Sequence, residues 1–515
     1  MSRLDERLLL RAIFLALLVA LALRMAPVVL GMPALAQGYV TEDGYLMLTV
    51  ARNLAIGLGL SVSDGTIATN GVQPLATLIY AVPYALTSGD KVTSLQLLHA
   101  LWAAIAVAGG FAVRAFAGRI LGPMGLGPVW AWLAAALWFC GPLLARHSMN
   151  GLETGLYTLL ILLACLQFMR VVERGTEVST GNLVLMAALL GLVFLGRNDG
   201  IFLVFSFFVV WLVHAVTTLG LGMGDLLRRL ALPAVVCASV VAPWLIHNQL
   251  LFGSVVPISG PAQSMTAAFG NNATLVPAVL FEQMFPMLPI PGRFEQMPAV
   301  MAVAGSAVLG VLALFVWRSW RVGGAVRLVV MGYLFHAIAV STYYGLFFGA
   351  AHFMSRYTAP LAPLLIVALV VAGWETARLM ARQRAVAVLS VLGIASLVLS
   401  LGLLSRSPWS GQGHFQVVRW VDENVPADTW VGAVQTGTLG YWHDRTINLD
   451  GKVNPLALDA RRQIGHVLHY VTASEITYLA DWVGIAGWVD REGFGAYFEV
   501  VEEDPNANLG VLRRR

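Results

Sequence analysis

Eleven runs of apolar residues, at 12–30, 94–113, 127–145, 154–170, 183–196, 201–220, 230–246, 298–317, 325–348, 357–374 and 385–404, dominate the chain. About 20 consecutive apolar residues cross a bilayer as a helix, and backbone in lipid must satisfy its own hydrogen bonds. A bundle of membrane helices is the one general solution. Only 12% of residues are charged, about half the ~25% of a soluble globular chain. That excludes a soluble enzyme, a disordered chain and a disulfide scaffold. The net charge of +4 gives no basic footprint for nucleic acid, so no nucleic-acid partner is expected. Cys140, Cys165 and Cys237 all fall inside apolar runs and read as packing residues. The basic stretch Met1–Arg11 leads into apolar sequence up to Leu30 without a good small-residue cleavage pattern. It reads as an uncleaved first span.

A twelfth run, Val72–Leu86, is short and holds Pro74 and Pro83. The positive-inside rule decides its fate. If it does not cross, the cytoplasmic side receives Arg3, Arg7 and Arg11, Arg114 and Arg119, Arg170 and Arg174, Arg228 and Arg229, Arg318, Arg321 and Arg327, and Arg378, Arg382 and Arg384. The other side receives only Arg52, Lys91, Arg146, Arg197, Arg293 and Arg356, over longer loops. If it crosses, the bias reverses. The rule therefore favours eleven spans with an internal N-terminus, and 72–86 lying along the membrane or re-entering it. Residues 405–515 then form an exported domain. Trp430–Val434 and Thr446–Leu449 read as strands and Val417–Glu423 as a helix, giving a small α/β unit. Residues 1–404 form the membrane module, with a long first outer loop at about 31–93.

The outer loops hold nearly all the chemistry. In the first, Glu42-Asp43 opens an amphipathic helix whose face carries Tyr45, Leu48, Ala51 and Leu54. Thr41 or Asp43 can be a plain helix cap. The acidic pair can equally act as a general base or hold a metal or a sugar. Asn70 and Gln73 sit among turn signals and can also bind sugar hydroxyls. Glu153 stands at the start of the fourth span, where a carboxylate needs a partner or a function; Arg146 and His147 are nearby partners. Arg197-Asn198-Asp199-Gly200 joins two apolar runs with almost no spacer, a tight hairpin that can dip Arg197 and Asp199 below the headgroups; the plainer account is an Arg–Asp pair closing the turn. His247 precedes a polar loop, and His352 and Arg356 are four apart, one helical turn. An interfacial Arg either snorkels or binds a lipid phosphate. Span interiors are nearly uncharged, Arg24 being the main exception. A transporter or flippase of a polyprenyl-linked glycan, the competing class, would place charges at mid-depth.

The collinear set Glu42-Asp43, Arg52-Asn53-Leu54-Ala55, Asp64-Gly65, Thr69-Asn70-Gly71, Gly151-Leu152-Glu153-Thr154, Arg197-Asn198-Asp199-Gly200, Phe252-Gly253, Ser259-Gly260 and Arg356-Tyr357 resembles the GT-C glycosyltransferases. The likeness is to bacterial arabinofuranosyl- and mannosyltransferase-like members that use polyprenyl-phosphate sugars. The tail, with Gly440-Tyr441 and Asn448-Leu449-Asp450-Gly451, resembles their periplasmic C-terminal domain. One position departs: Gln263 stands where the resemblance implies a lysine shortly after Ser259-Gly260.

The resemblance implies a polytopic α-helical membrane protein of the GT-C fold, with juxtamembrane helices in the first outer loop. It implies a bacterial inner-membrane enzyme with a periplasmic active site. A hexosyl or pentosyl group would pass from a polyprenyl-phosphate donor, with inversion, to an envelope glycan or lipid. Asp43 or Glu42 would be the general base. Arg356, with Arg197, would hold the donor phosphate. Glu153, Asn70, Gln73, His247, His352 and Asp199 would bind acceptor or sugar. No cofactor is required by the sequence; a divalent cation, where used, would take Glu42, Asp43 and Glu153. Trp409, Trp430, Trp442 and Trp482 are candidate stacking platforms for glycan, or core residues of the tail.

Overall fold

The computed structural model describes residues 3–294, 297–379, 382–406, 414–491 and 493–515. Among them, nine helices are long and apolar enough to cross a membrane. The pair Pro128–Cys140 and Pro142–Met149, bent by 63°, brings the number to ten if it is one span. The bend falls at Gly141-Pro142, where proline removes a backbone donor and its ring blocks the preceding turn. Thr180–Gly196, an apolar helix of 17 residues, accounts for the remaining expected run. The protein is an integral membrane protein.

Pro74–Leu86 has 13 residues. At 1.5 Å per residue it is about 20 Å long, too short to cross a ~30 Å hydrocarbon core. It packs instead against Glu42–Ala55. The latter starts where Thr41 Oγ1 accepts the Gly44 amide at 3.3 Å, with Glu42 and Asp43 in its positive first turn. Arg24 is fully buried and donates to Phe139 O at 2.8 Å and Ser148 Oγ at 2.7 Å. It ties the first span to the bent pair.

The tail forms a mixed five-stranded sheet in the order Thr446–Asn448, Val431–Ala433, Tyr478–Asp481, Leu509–Arg514, Phe498–Asp504. The first three strands run parallel; the last two pair antiparallel. Helix Phe415–Asn424 covers it through Val417 and Val421. The two expected strands and the expected helix are thus present, each shifted by a residue or two.

This sheet unit is bolted to the long segment between the first span and the helix Lys91–Leu121. Tyr84 Oη donates to Tyr441 Oη at 2.9 Å, and Ser63 Oγ to the Thr446 carbonyl at 2.6 Å. Arg52 and Lys91 both reach Asp444, at 3.4 and 3.0 Å. Two glycines let backbones touch. A Cβ on Gly71 would fall on the Lys452 carbonyl, and one on Gly437 on the Glu42 carbonyl.

Candidate active site

The docked elements enclose a cavity of about 500 Å³. Its polar wall carries Asp43, Gln73, Glu153, Arg197, Asp199, Arg356 and Lys452. Its apolar wall carries Phe194, Ile201, Phe202, Leu245, Val255 and Val256. Five loops and the tail contribute, so the site exists only in the assembled fold.

Glu42 and Asp43 part company. Successive residues on a helix do not face the same way. Asp43 Oδ2 accepts from Arg356 Nη1 at 3.0 Å, and Asp43 Oδ1 lies 3.5 Å from Lys452 Nζ. Burial alone would push the Asp43 carboxyl up, but Lys452 and Arg356 hold it below the ordinary carboxylate value. Asp43 is therefore an anion at neutral pH. Glu42 turns to the tail, where its carboxylate accepts the Gly437 amide, the Thr438 amide at 2.9 Å and Thr438 Oγ1 at 2.6 Å. Burial pushes Glu42 up to about 7 despite these hydrogen bonds. Glu42 does not line the cavity; it fastens the tail.

Arg197 and Asp199 form a closed pair, 2% and 7% exposed. Arg197 Nε and Nη2 donate to the Asp199 carboxylate at 2.7–2.9 Å, and Nη2 also reaches the Tyr357 carbonyl at 2.9 Å. Tyr344 Oη donates to Asp199 Oδ2 at 3.0 Å. The partner of Glu153 is Arg197, at 3.9 Å, rather than the expected Arg146 or His147; His147 instead meets Ser355 Oγ at 3.0 Å.

Besides Glu42, three more expected site residues do not line the cavity. Asn70 is a bolt for the 253–260 loop: it donates to Asn248 Oδ1 and accepts the Ile258 amide, both at 3.1 Å. His247 stacks on Trp244 with ring centroids 5.5 Å apart. His352 lies in a 3-10 turn, Ala351–Phe353, before the short helix Met354–Thr358 begins, and rests on Phe353. The tail tryptophans are mostly packed or tied. Trp442 packs on Tyr45 and Tyr441, Trp430 lies under Arg445, and Trp482 Nε1 donates to His414 at 2.5 Å. Trp409 lies outside the described residues.

Four buried polar atoms of the cavity wall have no hydrogen-bond partner among the described residues: Gln73 Oε1, Glu153 Oε1, Arg197 Nη1 and Arg356 Nε. Buried polar groups are normally satisfied; of these four, Glu153 Oε1 and Arg197 Nη1 face each other at 3.9 Å, and all four border the cavity. Glu42, Asp43 and Glu153 are not gathered here as a ligand set for a divalent cation. Glu42 is spent on the tail and Asp43 already faces two cations, and among the described residues no three His, Cys, Asp or Glu side chains gather. Lys452 and Tyr344, whose ring stacks on that of Tyr357 with centroids 4.0 Å apart, are not among the residues the sequence pattern singles out. Rarity is the one signal for Lys452: the chain has only two lysines, Lys91 and Lys452.

Against known proteins, residues 406–505 match a domain of unknown function, DUF8728. No curated protein matches the sequence. Among solved structures, the chain resembles ArnT from Cupriavidus metallidurans bound to undecaprenyl phosphate, with TM-score 0.62, 15% identity and 97% of each chain covered. It also resembles the apo oligosaccharyltransferase of Archaeoglobus fulgidus, with TM-score 0.61, 13% identity, 97% of this chain and 74% of that one. Oligosaccharyltransferase AglB from Archaeoglobus fulgidus, in complex with an inhibitory peptide and a dolichol-phosphate, gives TM-score 0.59, 13% identity, 100% and 75%. The chain has the GT-C fold, with a small sheet unit at its C-terminal end.

Proposed function

We propose that this chain is a glycosyltransferase that moves a sugar from a polyprenyl-phosphate donor to an acceptor hydroxyl at the periplasmic face of the bacterial inner membrane. Residues 1–404 are its membrane module, N-terminus inside, and 405–515 its periplasmic domain. The observation that carries this reading is the two-sided cavity. An anionic carboxylate, two cations and four polar atoms without a hydrogen bond among the described residues face a wall of apolar side chains. One of these, Ile201, at the start of the helix Ile201–Thr217, is 47% exposed. Such a wall suits a prenyl chain entering from lipid, and the polar wall its phosphate and sugar. The solved ArnT and AglB structures of the same fold hold undecaprenyl phosphate and dolichol-phosphate.

In the step we propose, Asp43 takes the proton of the acceptor hydroxyl. The resulting oxygen attacks the anomeric carbon from the side opposite the phosphate, giving inversion. The carbon–oxygen bond to phosphate breaks, and its electron pair leaves on the polyprenyl phosphate. Arg356 neutralises the departing charge. The Arg197–Asp199 pair fixes the Tyr357 carbonyl and so the short helix that presents Arg356. Glu153 and Gln73 bind sugar or acceptor hydroxyls. No step is routed through a metal. Arg24, the main charge within a span, is consumed by a carbonyl and a hydroxyl, which argues against the flippase class.

The test is transfer of radiolabelled sugar from a panel of polyprenyl-phosphate sugars in proteoliposomes, hexosyl and pentosyl donors included. Labelled acceptor supports the reading. Movement of labelled lipid between leaflets without transfer would replace it with the flippase.

A further inference from the structure

We propose that Lys452, carried by the tail, is a ligand of the donor phosphate, so that the donor site is shared between the membrane module and the tail. This rests on the donor assignment above. Three observations point to it. First, one carboxylate, Asp43, is clamped between two cations from separate elements, Arg356 at 3.0 Å on Oδ2 and Lys452 at 3.5 Å on Oδ1. A phosphate offers more oxygens and at least as much charge, and can bridge both cations. Second, Arg356 spends Nη1 on Asp43 and Nη2 on Tyr357 Oη at 3.1 Å, while its buried Nε has no partner among the described residues. The free Nε leaves Arg356 a donor for an incoming oxygen. Third, Gln263, a neutral side chain that lines the cavity, accepts from the same Tyr357 hydroxyl at 3.5 Å and so brings no charge of its own to the phosphate.

The loop that carries Lys452 is braced as a ligand loop must be. The Gly451 amide donates to Asn448 Oδ1 at 3.0 Å, the Lys452 amide to Asp450 Oδ1 at 2.8 Å, and Asn454 Nδ2 to the Asn448 carbonyl at 2.8 Å. Gly71 packs on the Lys452 carbonyl itself. Asp450, 3.3 Å from Lys452 Nζ, holds the ammonium from behind. In the proposed bound state Lys452 and Arg356 turn to the phosphate and Asp43 is released to act on the acceptor.

The experiment measures undecaprenyl phosphate and undecaprenol binding to the full chain in lipid nanodiscs. The proteins are wild type, Lys452→Met, Lys452→Arg and Lys452→Met with Gln263→Lys, each checked by thermal unfolding. Lys452→Met keeps the alkyl stem and is expected to weaken undecaprenyl phosphate tenfold or more while leaving undecaprenol unchanged. Lys452→Arg is expected to stay within about threefold of wild type. Gln263→Lys, which returns a cation from the membrane side without restoring the Asp450 contact, is expected to recover most of the loss. Unchanged phosphate affinity in Lys452→Met would overturn the proposal, as would equal losses for phosphate and alcohol, or no recovery in the folded double variant. Should Lys452→Met not fold, a Lys452→Arg protein that folds but binds tenfold more weakly would overturn it. Failure of wild type to bind undecaprenyl phosphate would instead remove the donor assignment, and this inference with it.

Discussion

Asp43 and Arg356 meet at 3.0 Å across the cavity although 313 residues separate them in the chain. Asp43 comes from the first turn of Glu42–Ala55, Arg356 from the short helix Met354–Thr358. The pair sets both the charge of the candidate base and the aim of the candidate phosphate ligand. Arg356→Ala should weaken undecaprenyl phosphate binding about thirtyfold or more, a loss comparable to truncating one partner of a buried charge pair. An equilibrium binding isotherm in nanodiscs checks it.

Asp43 should titrate differently with and without donor. The charged groups facing it are Arg356 and Lys452, with His352 and its own neighbour Glu42 further out. The first two hold its pKa down in the free protein. If donor phosphate draws them away, the Asp43 pKa rises in the complex. The acid limb of kcat, which reports the complex, should then lie at higher pH than that of kcat/KM, which reports the free protein. Coincident limbs would contradict the exchange of partners.

Glu42 should behave as a fastener. Its folded pKa, about 7, is raised above the ordinary glutamate value of about 4.5. A raised carboxyl contributes stability that is full below the unfolded pKa and lost as pH rises through the folded one. The apparent melting temperature of wild type, relative to Glu42→Gln, should therefore fall between about pH 4.5 and 7. Thermal scans at a fixed rate read this directly.

Much of this was legible in the sequence, and the limits are physical. Apolar runs are local, so the spans, the short Pro74–Leu86 helix and the helix starting at Glu42 can be read from neighbours alone. The Arg197–Asp199 pair is two residues apart and equally local. What the acidic pair does was not legible, because Glu42's partners Gly437 and Thr438 belong to another structural unit. Asn70 shows the same limit: its turn context is plain, but its partners Asn248 and Ile258 are not. Lys452 was hidden for that reason too. It reaches Asp43 only because Gly71 and Gly437 allow backbone contact between loop and tail.

That docking predicts a further outcome. Gly437→Ala places a methyl against the Glu42 carbonyl. Backbone must shift, and the Glu42 hydrogen bonds to Gly437 and Thr438 should break. Amide exchange across residues 434–442 should rise tenfold or more while the membrane helices keep their protection. Unchanged exchange would mean that the contact tolerates the methyl.

Arg197→Ala should damage the fold before it damages chemistry. It leaves Asp199 buried without its bidentate partner, a loss of about 3–5 kcal/mol for a broken buried pair. Arg197→Lys should recover little, since a point charge cannot form both carboxylate contacts and reach the Tyr357 carbonyl as well. Apparent melting temperatures of the two variants check this.

The most direct test compares Asp43→Asn with Glu42→Gln in one assay of sugar transfer from a polyprenyl-phosphate sugar. Both are measured at saturating donor in proteoliposomes and normalised to folded protein. Asp43→Asn is expected to lower the rate by about 10²–10⁴ with donor binding retained, and Glu42→Gln to stay within about tenfold of wild type. Near-wild-type transfer by Asp43→Asn, with loss confined to Glu42→Gln, would contradict the assignment of Asp43 as the base.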